Sequence, residues 1–121
     1  DNKEAVVKSN IILLAVKPYQ VSEVVSGFAT ALTEKHVLVS VVTGVLISDI
    51  QQIVQKKIPV CRAMPNTAIA IQQSMTCLSY TNTAASQVNF INKLFSTLGK
   101  IAVIDEKLMD AATVLGACGT A

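Results

Sequence analysis

Short runs of aliphatic residues, each followed by a stretch with helical spacing, constrain the fold of this chain most strongly. The runs at 11–16, 37–42 and 58–64 consist almost entirely of valine, isoleucine, leucine and other apolar or small residues. Such near-continuous runs are typical of strands that are buried on both faces of a parallel sheet. None of them approaches the roughly 18 apolar residues that a membrane span needs. They therefore predict buried strands and argue against a membrane protein.

The segments between these runs have the spacing of amphipathic helices. Apolar residues recur every three or four positions over 21–32 and again over 88–98, which predicts two helices that each cover a core. Ser48 followed by Gln51 fits a capping box that opens a short helix between them. Gly99 is the expected C-terminal stop of the helix over 88–98. A last helix is predicted from Glu106 to about residue 115.

This alternation of strand and helix predicts the fold class. Strands also fit residues 75–80 and 101–104. Alternating strands and helices indicate an α/β fold with a mostly parallel sheet and right-handed crossovers. We therefore expect a mostly parallel α/β sheet with flanking helices.

Two of the predicted strands end in polar turns that contain proline. Lys17-Pro18 follows the first strand, and Pro65-Asn66-Thr67 follows the third. Ligands of open α/β sheets bind in the crevice beyond the carboxyl ends of the strands. An asparagine amide, a threonine hydroxyl and free backbone groups are suited to a cofactor there. The alternative, that both prolines only terminate strands, stays open at this point.

Charge and aromatic content exclude one class of partner. The net charge is +2, with no extended basic run, and the chain has two tyrosines and no tryptophan. A nucleic-acid-binding surface normally needs a basic stripe, often with aromatic platforms, so we expect no nucleic-acid partner. Lys56-Lys57 is interpreted as the solvated end of a helix.

The cysteines and the single histidine give no sign of a metal centre. Cys61, Cys77 and Cys118 are far apart, odd in number and without C-x-x-C spacing, which predicts free thiols rather than a zinc site or disulfides. Free thiols are typical of a reducing compartment, and no signal peptide is visible, so a cytoplasmic location is expected. His36 lies in a Glu-Lys-His loop and is expected at the surface.

Five sequence blocks, in order and in register, resemble the pyrroline-5-carboxylate reductases. They are ILLAVKP at 12–18, LVSVVTGV at 38–45, RAMPNT at 62–67, LGK at 98–100 and DEKLMDA at 105–111. A single block such as AVKP would be weak, but five that span the chain are specific. The resemblance implies reduction of the imine of 1-pyrroline-5-carboxylate to L-proline by hydride transfer, in proline biosynthesis, with NADPH rather than NADH.

The resemblance also implies a domain organisation. Residues 1–104 would form the later part of the Rossmann-like NAD(P)-binding domain. Residues 105–121 would begin a C-terminal helical domain that forms a homodimer or higher homo-oligomer. None of the five glycines forms the G-x-G-x-x-G turn of a dinucleotide fold. We therefore expect the glycine-rich βαβ unit upstream, the helical domain downstream, and no activity from this stretch alone.

By resemblance, two strand ends line the ribose and nicotinamide of the cofactor. The residues concerned are Ala15, Val16, Lys17 and Pro18 on one side, with Met64, Pro65 and Asn66 on the other. Asn66 is expected to hydrogen-bond the ribose or the carboxamide. For Lys17, the alternative of a solvated cation at a strand end stays open.

The resemblance places the substrate carboxylate on the loop Gly116, Ala117, Cys118 and Gly119. Family members usually read S-G-S-G-P-A there, whereas this chain reads G-A-C-G-T-A. Backbone donors survive the change, but the serine hydroxyls and the proline do not, and a thiol is the weaker donor. A packed interdomain turn remains an equal alternative for Cys118.

Glu106 matches an acidic residue that lies near the substrate in the family. We expect it close to the imine nitrogen, or ordering water there, as the one candidate catalytic side chain. Asp105 and Glu106 would equally suit the first turn of a helix through its dipole, without any catalysis. Thr113, on the same predicted helix, is a weaker candidate for the site. No metal ligand is expected.

Two other functions stay open from the sequence. A related reductase could act on another small imine or keto acid, since the segment 116–121 departs from the family pattern. The stretch could also be a non-catalytic piece.

Overall fold

The computed structural model describes residues 1–65, 74–81 and 85–113. Strands and helices alternate along these residues almost as the sequence predicts. In chain order they are α1 Asn2–Val7, β1 Ile11–Leu14, α2 Val21–Phe28, β2 Val37–Ser40, α3 Ile47–Val54, β3 Val60–Met64, β4 Ser74–Tyr80, α4 Ala85–Ser96, β5 Gly99–Val103 and α5 Met109–Thr113. Short 3₁₀ turns at Pro18–Gln20 and Glu106–Leu108 precede α2 and α5.

The described strands form one mostly parallel sheet in the order β1-β2-β3-β4-β5. β1, β2 and β3 are mutually parallel, β4 runs antiparallel to β3, and β5 is parallel to β4. Leu14, Ser40 and Arg62 lie side by side in register on the first three strands. The loops that follow these strands therefore leave the same edge of the sheet. The expected Rossmann-like fold class is confirmed.

Apolar layers pack on both faces of the sheet. On one face, Leu38 and Val60 lie under side chains of α2 and α3, including Val25 and Ile50. On the other face, the core is built from Val39, Ala63, Leu78, Ile91 and Phe95. Both faces of β2 and β3 are buried, as predicted for continuous aliphatic runs.

The prediction of two-sided burial is wrong for β1. Leu13 is 60% exposed. Its strand is at the edge of the described sheet, and Ile91 and Phe95 of α4 pack beside Ala63 and Leu78 instead of over it. An aliphatic run therefore identified a strand here without fixing its place in the sheet.

Helix α3 begins two residues earlier than the capping box predicts. The helix starts at Ile47, and the Asp49 carboxylate accepts the backbone N–H of Leu46 at 3.0 Å. Because Asp49 occupies the third helical position, it caps the helix in place of the predicted pair Ser48 and Gln51. Gly99 does not form the predicted C-terminal stop of the preceding helix. Helix α4 already ends at Ser96, and Gly99 is the first residue of β5.

Lys56 and Lys57 are exposed just beyond the end of α3, as predicted, but Lys56 also makes contacts that the sequence did not reveal. Its ammonium donates to three backbone carbonyl oxygens, those of Ala29, Thr30 and Leu32, at 3.0, 3.1 and 2.8 Å. These carbonyls end the α2 segment, where a cation is favourable. Lys56 therefore fastens the turn after α3 to the end of the α2 segment, although part of its side chain stays exposed.

The prediction of a surface His36 is also wrong, because the side chain is 5% exposed. Its Nδ1 accepts the backbone N–H of Thr33 at 2.9 Å, and its Nε2 lies 2.9 Å from the carbonyl oxygen of Val6. Since Nδ1 is an acceptor, Nε2 carries the proton and donates to Val6. His36 thus ties α1 to the loop before β2.

Candidate cofactor and substrate site

The loop after β1 presents an exposed backbone at the carboxyl edge of the sheet. Ala15, Lys17 and Pro18 are exposed, and Val16 is half-buried. The backbone N–H of Lys17 donates to the side-chain oxygen of Gln20 at 3.0 Å, which fixes the 3₁₀ turn that Pro18 begins. Proline suits that first position, because its missing N–H would be unpaired there. The loop is therefore held in shape while its outer surface stays open.

The loop after β2 turns sharply at the same edge. Gly44 has a φ of +77°, a conformation that favours glycine. A Cβ atom built at Gly44 would meet nothing within 4 Å, so this backbone faces open space. Two residues later, Leu46 and Ile47 open helix α3. An exposed glycine turn and a helix N-terminus thus flank the loop after β1.

The loop after β3 begins with Met64 and Pro65. Met64 is the last residue of the strand and is 9% exposed, and Pro65 is half-buried. One strand, β2, separates this loop from the loop after β1, which corresponds to a spacing of about 10 Å between the two strand ends. The predicted cofactor residues of these two loops therefore lie along one edge.

Glu106 joins this edge from the other end of the chain. Its Oε2 accepts the backbone N–H of Ile47 at 2.7 Å and lies 3.2 Å from Nη1 of Arg62. The first contact satisfies one of the N–H groups that a helix leaves unpaired at its start, and there the helix dipole favours a carboxylate. The Glu106 side chain is 26% exposed. Glu106 therefore caps the start of α3, while part of its side chain remains open to solvent.

Arg62 is the charged residue that the sequence analysis did not single out. It is 1% exposed and lies between Ser40 of β2 and Ser79 of β4, both of them buried. Its Nε and Nη2 have no hydrogen-bond partner among the residues that the structure describes. The sequence did carry a signal, because Arg62 interrupts the otherwise apolar strand VCRAM. Since a charged side chain is almost never buried without a partner, an arginine at this position predicts an ion pair.

Cys61 lies on the opposite face of β3 from Arg62 and cannot serve as a nucleophile at this edge. Burial raises the pKa of its thiol to about 12, although a hydrogen bond from the backbone of Ser79 acts in the other direction. The thiolate is the reactive form, so this cysteine is chemically inert near neutral pH. Burial, with a smaller contribution from Cys61, also raises the pKa of Tyr80, whose hydroxyl donates to Asn92.

The remaining predicted site residues lie outside the described residues. Asn66 and the loop Gly116, Ala117, Cys118 and Gly119 belong to this group, and of Thr113 only the backbone is described, at the end of α5. Cys61 and Cys77 are free thiols, as predicted. In the described ranges, no three His, Cys, Asp or Glu side chains lie close enough to hold a metal ion, and no helix there is long and apolar enough to cross a membrane.

Several proteins named pyrroline-5-carboxylate reductase are similar in sequence to this chain. A family model described as NADP oxidoreductase, coenzyme F420-dependent, matches residues 1–44. Pyrroline-5-carboxylate reductase 2 of Dictyostelium discoideum is 35% identical over 100% of this chain and 46% of its own length. The pea enzyme, from Pisum sativum, is 36% identical over 99% of this chain and 44% of its own. The resemblance to pyrroline-5-carboxylate reductases is therefore confirmed.

Solved structures agree with this resemblance. The pyrroline carboxylate reductase of Plasmodium falciparum with NADP bound superposes with a TM-score of 0.93 at 27% identity, over 99% of this chain and 46% of that one. The reductase of Coxiella burnetii gives 0.92 at 25% identity, over 99% and 46%. A prephenate dehydrogenase of Aquifex aeolicus, at 0.69 and 14% identity, shares the fold alone. The chain spans less than half the length of the curated relatives it matches.

Proposed function

We propose that this chain supplies the cofactor-facing part of a reductase that converts 1-pyrroline-5-carboxylate to L-proline with NAD(P)H. One observation carries the proposal. The two loops assigned to the cofactor, after β1 and after β3, leave one edge of a sheet. That sheet belongs to a chain that matches pyrroline-5-carboxylate reductases from end to end. The carboxyl edge is where open α/β sheets bind nucleotides.

The described residues fit a nicotinamide cofactor. Ala15 and Lys17 expose backbone and side-chain groups, and Gly44 leaves open space beside them. Val16 and Met64 add apolar surface of the kind that a nicotinamide ring needs. When bound, the cofactor would supply the hydride, and the protein would supply binding, orientation and electrostatics. We propose NADPH rather than NADH, in line with the NADP bound to the Plasmodium relative.

The proposed chemistry asks little of the side chains. Hydride adds to the imine carbon, and the electron pair of the C=N bond goes to the nitrogen, so a protonated imine becomes an amine. A carboxylate beside that nitrogen favours the protonated imine. Oε2 of Glu106 is already held by Ile47 and Arg62. No residue of the described ranges donates a hydrogen bond to Oε1. We therefore propose that Oε1 faces the imine nitrogen, or a water beside it.

The substrate carboxylate is assigned to backbone N–H groups of the loop Gly116, Ala117, Cys118 and Gly119. Residues 1–104 would belong to the nucleotide-binding domain and residues 105–121 to the start of a helical domain. That domain would form a homodimer or higher homo-oligomer. A cytoplasmic location is part of the same proposal. The departure of residues 116–121 from S-G-S-G-P-A favours one second candidate, a reductase of another small imine or keto acid.

The test is NADPH oxidation by the complete protein that carries this sequence. It would be run with 1-pyrroline-5-carboxylate beside other cyclic imines and small 2-keto acids. We expect turnover that is selective for pyrroline carboxylate. Turnover of another imine or keto acid alone would replace the proposed substrate by the second candidate. Absence of any turnover, with NADPH bound or not, would contradict the enzyme assignment.

A further inference from the structure

Arg62 is the only arginine of the chain, and it is placed where an arginine is costly. It lies in the middle of the sheet, and its side chain is 2% exposed. Of its three guanidinium nitrogens, Nη1 contacts Glu106 at 3.2 Å, while Nε and Nη2 have no partner among the described residues. Leaving buried donors unpaired costs free energy, and more so on a charged group.

Such a pair is a poor means of stabilising a fold. An apolar side chain of similar volume often does as well as a buried ion pair or better, because it avoids the desolvation of two charges. The residues beside Arg62 on its own face of β3, Val60 and Met64, are buried and apolar. Stability alone therefore does not account for an arginine at this position.

The geometry of the pair offers another account. Arg62 precedes Met64 by two residues on β3, and Glu106 begins the turn before α5. Through the same Oε2, Glu106 also holds the N–H of Ile47 at the start of α3. One carboxylate oxygen thus fixes three segments: the end of β3, the start of α3 and the start of the α5 segment. Each of these segments borders the proposed site.

We propose that Arg62 is a positioning residue, which holds Glu106 and the Met64-Pro65 loop in the arrangement that hydride transfer requires. This inference rests on the proposed function. Arg62 need touch neither cofactor nor substrate, since it acts through Glu106 and through its own strand. A displacement of about 1 Å at reacting groups can lower a rate by about a hundredfold, so a lost contact of this kind has a measurable effect.

The experiment compares Arg62→Met, Arg62→Lys and Lys56→Met in the complete protein. Lys56→Met is the matched control, because it also removes a cation that bridges segments, but at the opposite edge of the sheet. For each variant we would measure the melting temperature, the NADPH dissociation constant by fluorescence, and kcat and KM with 1-pyrroline-5-carboxylate. NADPH binding needs no substrate, so it tests Arg62 even if the substrate assignment fails.

For Arg62→Met we expect kcat to fall about tenfold or more, and the NADPH dissociation constant to rise about fivefold. KM for the substrate should change less than kcat, and Arg62→Lys should recover part of both losses. Lys56→Met should lower the melting temperature and leave kcat unchanged.

Two results would overturn the proposal. The first is a kcat and an NADPH dissociation constant for Arg62→Met that lie within about twofold of wild type. The second is a loss of kcat in Lys56→Met as large as that in Arg62→Met when the two variants have the same melting temperature. An inactive wild-type protein that binds NADPH contradicts the proposed substrate, and the binding constants then decide the role of Arg62. If wild type does not bind NADPH, both proposals fall.

Discussion

The guanidinium of Arg62 lies 3.2 Å from the carboxylate of Glu106, but the two side chains differ in exposure, at 2% and 26%. Loss of one charge should therefore cost more than loss of the other. Glu106→Gln leaves a buried guanidinium without a counter-ion, whereas Arg62→Met leaves a carboxylate that water can reach. We expect Glu106→Gln to lower the free energy of unfolding by about 3 kcal/mol and Arg62→Met by about 1 kcal/mol or less.

Urea unfolding of the two single variants and of the double variant would measure this asymmetry. The double variant Arg62→Met/Glu106→Gln should be more stable than Glu106→Gln alone, because the unpaired buried charge is gone. Equal losses of unfolding free energy in the two single variants would show that solvent does not compensate the Glu106 carboxylate for the loss of Arg62.

Lys56 should contribute to stability through its three carbonyl contacts. Lys56→Met keeps most of the length of the side chain but leaves the carbonyls of Ala29, Thr30 and Leu32 without their cation. We expect a loss of about 1–2 kcal/mol in the free energy of unfolding. Lys57→Met, at the exposed neighbour, is the control and should change stability by less than about 0.5 kcal/mol. A control variant as unstable as Lys56→Met would mean that the effect comes from net charge.

His36 should protect a specific backbone amide from solvent exchange. Its Nδ1 is the acceptor for the N–H of Thr33, and its Nε2 bonds the carbonyl of Val6. His36→Phe keeps an aromatic ring in the space but leaves both backbone groups unpaired. We expect a loss of about 1–3 kcal/mol and faster hydrogen exchange at Thr33. Unchanged exchange at Thr33 would show that another group or water replaces the ring nitrogen.

Under the proposed function, Asn66 should contribute to cofactor affinity. Asn66→Ala removes an amide proposed to bond the ribose or carboxamide, and the KM for NADPH should rise about tenfold. Asn10→Ala is a suitable control, because Asn10 is exposed and precedes β1 at the opposite edge of the sheet. Unchanged kinetics in Asn66→Ala would remove this residue from the site.

The limits of sequence-based prediction follow from which contacts are local. The aliphatic runs identified the strands, and the proline turns placed Ala15–Pro18 and Met64-Pro65 at one edge, because periodicity and turns depend on neighbours in the chain. The contacts that Lys56, His36 and Arg62 make were missed. Apart from the contact of His36 with Thr33, their partners are 24–27, 30 and 44 residues away, so no local pattern reveals these long-range pairings.

Cys61 should make the protein less stable in alkaline solution. Burial raises the pKa of its thiol from 9.0 to about 12 in the folded protein. Below pH 9 both folded and unfolded chains keep the proton, so the full stability is present. Above pH 9 the unfolded chain loses the proton first and then binds fewer protons than the folded chain. The free energy of unfolding therefore falls with rising pH, by up to about 1.4 kcal/mol per pH unit.

Cys61→Ala removes this titration, so its stability should decline less steeply than that of wild type between pH 9 and the folded pKa of about 12. Tyr80, whose pKa is also raised by burial, acts in the same direction but is present in both proteins. The difference between the two slopes in urea unfolding therefore isolates the thiol. Identical slopes would mean that the folded protein admits water or a cation to Cys61 and lets it ionise in place.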